Sequence, residues 1–128
     1  MLPAAEGKTY PERSFTIDPA RVAAFREAVG ERGEEGVPPT FVTAAEFSVL
    51  PEVIGDPELD LDYTRVVHGS QEYAFERPLR LGETLTIRCR LASIRVRAGT
   101  GFLTIATDLV DEGGELVCSA RSTMVERA

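Results

Sequence analysis

Residues 84–91, TLTIRCRL, alternate without a break. Leu85, Ile87, Cys89 and Leu91 fall on one side, and Thr84, Thr86, Arg88 and Arg90 on the other. A period of two is that of a strand with one face buried. Beyond Ala92 and Ser93, the apolar Ile94 and Val96 lie on the opposite parity from Leu91, and a bulge there would restore their facing. Gly99 and Gly101 turn the chain into a strand over 102–110. Asp111, Glu112, Gly113 and Gly114 turn it again into 115–126, where Leu116, Cys118, Ala120 and Met124 share a face. An earlier run over 63–76 is separated from these strands by a turn region at 77–83. Simple alternation in that run sets Val67, Gly69, Tyr73 and Phe75 against Val66, His68, Ser70 and Glu72. Tyr73 and Phe75 are then core residues, and Gly69 permits a bulge or a close backbone approach.

The first half follows a different period. A short strand over 9–17 alternates Phe15 and Ile17 against Ser14 and Thr16, with Pro11 near its edge. Asp18 then caps a helix whose first position is Pro19, where the missing N–H costs nothing. Val22, Phe25 and Val29 form its apolar stripe, Arg21, Arg26 and Glu27 its wet face, and Gly30 its end. Residues 31–39 make a polar connection. The segment 40–50, TFVTAAEFSVL, is apolar nearly all round, as a helix buried on several sides would be. Thr43 and Glu46 have capping-box spacing, Pro51 weakens the helix, and Gly55, Asp56 and Pro57 end it.

Strand, helix, buried helix and four further strands give an α+β chain. The predicted fold is a single domain over 1–128, an antiparallel five-stranded sheet wrapped around a central buried helix, with one additional N-terminal helix. This is the hot-dog arrangement. One such sheet cannot cover both its helix and its own edges, which predicts a dimer.

With 128 residues, 43% of them hydrophobic, the chain can bury a core without staples. Its net charge of −7 argues against nucleic acid and against an anionic membrane surface. No apolar run approaches a membrane span and the start lacks the pattern of a signal peptide, so the expected location is the cytoplasm. Cys89 and Cys118 are too few and too far apart for a metal site of cysteine pairs, and their strand positions predict buried free thiols.

Residues 68–86, HGSQEYAFERPLRLGETLT, resemble the His-Gly-x-Gln-x-Tyr/Phe and Arg-Pro-Leu-x-x-Gly-Asp/Glu-x-Leu run of the MaoC-like dehydratase N-terminal domain. Residues 37–47, VPPTFVTAAEF, resemble the family's Pro-x-Thr-Phe entry into its hot-dog helix, and residues 7–31 its opening strand and first helix. The family includes the non-catalytic subunit of actinobacterial (R)-3-hydroxyacyl-ACP dehydratases. The resemblance implies an acyl thioester of coenzyme A or acyl carrier protein as substrate, reversible dehydration as the chemistry, and no metal or redox cofactor. It also implies a homodimer, or a heterodimer with a catalytic MaoC-like subunit. Catalytic members carry Asp-x-Asn-Pro-x-His between the first helix and the hot-dog helix, and the reaction needs a base at C2 and an acid at the hydroxyl. Here the connection GERGEEGVPP, 30–39, holds no His, Asn or Asp.

No catalytic pair is therefore assigned. His68, the sole histidine, and Glu46 are the remaining candidates. His68 reads mainly as a strand residue at a subunit boundary, and His68, Gly69 and Gln71 as substrate-lining positions. Glu46 supports a different activity, that of a thioesterase whose helix carboxylate activates water, or else it closes the capping box with Thr43. A third possibility is a non-enzymatic acyl-binding homodimer. Glu31, Glu34 and Glu35 read as a solvated acidic loop. Arg88, Arg90, Arg95 and Arg97 form either an exposed sheet face or a phosphate-attracting row.

Overall fold

The computed structural model describes residues 1–31 and 36–128; Glu34 and Glu35 of the acidic connection lie outside them. Five strands form one antiparallel sheet: β1 (Arg13–Thr16), β2 (Val66–Phe75), β3 (Thr84–Arg97), β4 (Thr100–Val110) and β5 (Leu116–Glu126). Their spatial order is β1-β3-β4-β5-β2, so β1 and β2 are the edges. The β1 edge is four residues long, and the β2 edge ten. The α+β class and the five antiparallel strands agree with the pattern of the sequence. The first strand is shorter than expected, with only an isolated bridge from Thr9 to Arg90 before Arg13.

Helix α1 (Pro19–Val29) starts as its sequence predicts. The Asp18 carboxylate accepts from the Ala20 N–H at 3.0 Å, and Gly30 closes the helix in the left-handed conformation. Its apolar stripe is cut short, however. Val22 is buried and Phe25 packs edge-on against Phe41, but Val29 is 55% exposed.

The central helix is not one continuous piece. A 3₁₀ turn (Pro39–Phe41) leads into α2 (Val42–Glu46), a second 3₁₀ turn (Phe47–Val49) and then α3 (Leu50–Ile54). Pro51 marks the weakening its sequence position predicted: it has no N–H to give the Phe47 carbonyl, and the run is interrupted over Phe47–Val49 just before it. Within α3 it sits in the first turn, where its missing N–H is harmless, and Gly55 ends that helix.

The sheet curls around this segmented run and buries two apolar clusters. One gathers Val42 and Ala45 with Ile17, Leu85, Ile87 and Leu109; the other gathers Val49 and Val53 with Leu91, Ile94, Leu103 and Met124. Glu46 falls between them, beside the buried Thr107 and Ser122. A polar seam therefore divides the core.

Three irregularities fix the facing of the strands. The expected bulge in β3 lies between Leu91 and Ser93, so Ile94 rejoins the core face. Glu6 accepts the Ile94 N–H at 2.8 Å, satisfying a donor beside the disrupted ladder. On β5 the register shifts between Leu109 and Val110, which pair with Cys118 and Leu116. Val117 takes the fully buried place, and Leu116 is 38% exposed rather than sharing the face of Cys118 and Ala120. The third irregularity, on β2, builds the site described below.

The turn 77–83 is held by charge. Arg77 donates to both Glu83 oxygens, at 3.1 and 2.7 Å, and reaches Asp111 of the β4–β5 turn at 3.4 Å. Leu79 is buried beside it, and Gly82, at φ +80°, gives its N–H to the Ile17 carbonyl. The Arg-Pro-Leu-x-x-Gly-Glu pattern is thus a clamp joining three parts of the sheet. No described helix is long and apolar enough to cross a membrane.

Candidate functional site

The decisive residue on β2 is Gly69. His68 pairs with Met124 and Ser70 with Thr123, which leaves Gly69 as the extra residue of a bulge. A bulge reverses alternation. His68 opposite Met124, Gln71 opposite Ser122 and Tyr73 opposite Ala120 therefore all face the helical run. The simple alternation of the sequence put His68 and Tyr73 on opposite faces. That expectation fails because one unpaired residue shifts everything after it.

The result is a polar cluster where α2 meets the edge strand. Glu46, 2% exposed, closes no capping box; Thr43 instead shares a 2.6 Å hydrogen bond with the Tyr73 hydroxyl. Gln71 donates its amide N–H₂ to Glu46 at 2.9 and 3.1 Å, and to the Arg121 carbonyl at 3.3 Å. The Gln71 Oε1 is buried and has no hydrogen-bond partner among the described residues. His68 packs against Phe47 with ring centroids 5.8 Å apart. Its Nε2 lies 3.0 Å from the Ser70 carbonyl and 3.3 Å from the Ser122 hydroxyl. Phe75, expected in the core, is 37% exposed on the same strand.

Burial raises the Glu46 carboxyl above its ordinary range, opposed by the hydrogen bonds of Tyr73 and Gln71 and by the charge of His68. The net direction carries a consequence for stability. In the unfolded chain the carboxyl ionises near 4.5, and in the folded chain it holds its proton to higher pH. Between those values the folded state binds more protons, so stability falls as pH rises. Glu46→Gln removes this titration. Melts of both proteins from about pH 4 to about pH 8 should show the variant gaining on the wild type as pH rises. A difference that stays constant with pH would contradict it.

Beneath Glu46 is a cavity of about 10 Å³, lined also by Phe47, Val49, Thr107 and Ser122. It has room for no more than one water. Cys89 and Cys118 are both free and buried, as their strand positions predicted, and burial pushes each thiol up to about 11. Neither is a nucleophile at neutral pH. Among the described residues no group of His, Cys, Asp and Glu could hold a metal ion.

Of the residues singled out in the sequence, the structure brings together His68, Gln71 and Glu46, with Gly69 as the hinge of their arrangement. Thr43, read as a capping-box partner of Glu46, and Tyr73, read as core, join the cluster in different roles, and Ser122 completes it with no local signal of its own. Only the bulge at Gly69 could have aligned them.

Residues 4–120 match the family model of the FAS1-like dehydratase domain region. The chain belongs to that family. A UPF0336 protein of Streptomyces griseus is 36% identical, with 95% of this chain and 92% of the relative covered. A second, from Saccharopolyspora erythraea, is 33% identical over 94% of this chain and 88% of its own. Among solved structures, the 3R-hydroxyacyl-ACP dehydratase complex HadBC of Mycobacterium tuberculosis matches at a TM-score of 0.78, with 22% identity, 94% of this chain and 96% of that one covered. HtdX of the same organism matches at 0.82 with 20% identity, covering 94% of this chain and 51% of that one. These structural likenesses show the fold: this member of the family is a MaoC-like hot-dog chain.

Proposed function

We propose that this chain is the subunit of a MaoC-like (R)-3-hydroxyacyl-thioester dehydratase or hydratase that forms one wall of the acyl site and leaves the proton transfers to a second hot-dog chain. The observation that carries this reading is the polar cluster at an open sheet edge. His68, Gln71 and Tyr73 lie on β2, which among the described residues pairs only with β5. The buried Gln71 Oε1 still lacks a donor, as expected of a site that a ligand or a partner completes. A cavity of about 10 Å³ cannot take an acyl chain, so the thioester needs space made with another subunit.

The residues for the chemistry are missing in the expected place. His68 is the only histidine, and the connection 30–39 holds no His, Asn or Asp. A partner carrying Asp-x-Asn-Pro-x-His would supply the base and the acid. The HadBC and ChsH1–ChsH2 structures of Mycobacterium tuberculosis are complexes, which supports a hot-dog partner here. Coenzyme A and acyl carrier protein both fit as the thioester carrier.

A second reading rests on Glu46. Its burial and raised carboxyl would suit a thioesterase base on the central helix. One experiment separates the two, with crotonyl-CoA offered to the purified chain while hydration and free thiol are followed. The subunit reading expects neither product from the chain alone, and hydration once a motif-bearing partner is added. Robust hydration by the isolated chain would overturn it. Thiol release that disappears in Glu46→Gln would favour the thioesterase, and equal release by both proteins would remove Glu46 from the chemistry.

A further inference from the structure

The outer face of the sheet, away from the helical run, carries a basic patch on an acidic protein. Arg90 of β3 and Arg121 of β5 both pair with Ala106 of β4 and flank it on one face. The bulge after Leu91 turns Arg95 and Arg97 to that same face, in register with Phe102 and Thr100. Together with Phe102 and Thr104, the four arginines line an open depression of about 610 Å³. Arg88, which the sequence grouped with them, is taken up by Glu12 at 2.7 Å, and Arg121 joins from a distant part of the chain. Among the described residues, none of the four lies within ion-pair distance of an acid, whereas Arg13, Arg65 and Arg77 do. Glu72 is the nearest acid by register, opposite Arg121.

We infer that this face docks an acidic amphipathic helix of a partner protein. Three features select that occupant. The patch runs along β4 from Thr100 to Ala106 and across three strands, roughly 20 Å by 10 Å from strand geometry, the footprint of a helix about 10–12 Å across. An apolar strip borders the arginines: Phe102, 42% exposed and in register with Arg95, continues across β5 at Val125 to Val67 of β2, 46% exposed. Exposed aromatic and aliphatic side chains bordered by arginines match the anatomy of a protein interface. Even with Glu72 and Asp108 on the same face, the four arginines leave it an excess of positive charge, so stacking of this face on itself is disfavoured. The net charge of −7 does not cancel the patch, because at physiological salt charges beyond about 8 Å are largely screened. The inference is independent of the acyl site, which lies on the other side of the sheet.

The test uses a fluorescein-labelled helical peptide with a leucine stripe flanked by glutamates at i, i+4 spacing, followed by anisotropy on the full chain. Saturable binding is expected, weakening with salt and falling at least about tenfold in Arg95→Glu/Arg121→Glu. The milder Arg95→Gln/Arg121→Gln pair should lose less, and both should melt like the wild type. Absence of saturable binding would overturn the proposal, as would unchanged affinity in the charge-reversed variant. Equal binding of the same peptide with glutamine for glutamate would remove the role of charge. Tighter binding of an oligothymidylate at the same arginines would assign the face to phosphate chains instead.

Discussion

Replacing Gly69 with valine is expected to cost roughly 2 kcal/mol of stability. A Cβ at Gly69 would meet the Thr123 carbonyl oxygen and the Val125 Cγ2, each at 3.3 Å. One of these contacts is backbone in the neighbouring strand, so it cannot swing aside as a side-chain tip would. Valine adds two further carbons to the same crowded place. The chain must push β2 away from β5 or abandon the bulge. Losing the bulge would send His68 and Gln71 to opposite faces and dismantle the cluster around Glu46. For a chain of this length the predicted loss lowers the melting temperature by about 6–10 °C, with alanine between valine and the wild type. A valine variant that melts with the wild type would show that the bulge does not need glycine.

Leu103→Ala should cost more, about 3 kcal/mol and at least about 10 °C in melting temperature. Leu103 is fully buried on β4, in register with Ile94 on one side and Met124 on the other. It belongs to the cluster that packs against Val49 and Val53, where the segmented helical run leaves little freedom to collapse into a void. Leu116→Ala is the matched control: the same atoms are removed from a side chain 38% exposed, and the change should stay near 0.5 kcal/mol. Urea titration of the three proteins measures the comparison. Similar losses at both positions would mean that the register shift at Val117 is misplaced.

These two substitutions also mark what can be read along the chain and what cannot. The strict alternation of 84–91 and the parity break at Ala92 are local signals, and both the strand and its bulge are found where they point. The Asp18 cap and the Gly30 stop are equally local. The facing of β2 and of Leu116 depends instead on which residue lies opposite on β5, and cross-strand register is not written within either segment. Segmentation of the central run was signalled by Pro51, but not where or how the chain would tighten. Pro51 cannot donate to the Phe47 carbonyl, and the chain tightens to a 3₁₀ turn at Phe47–Val49, where it crosses from one apolar cluster to the other. Glu46 sits at that crossing. The sequence marks it as an acid on an apolar segment, but only the folded sheet supplies Gln71 and Tyr73 to hold it.

The free flank of β2 has a consequence for how the protein must be made. Ten residues of edge strand, with Val67 and Phe75 partly exposed, present unpaired backbone groups to any other chain in extended form. Such an edge does not discriminate between a proper mate and a misfolded neighbour until one of them has bound. With the second hot-dog chain proposed above, matched synthesis of the two would protect both, and an excess of this chain would be the form most exposed to aggregation and to proteolytic clearance.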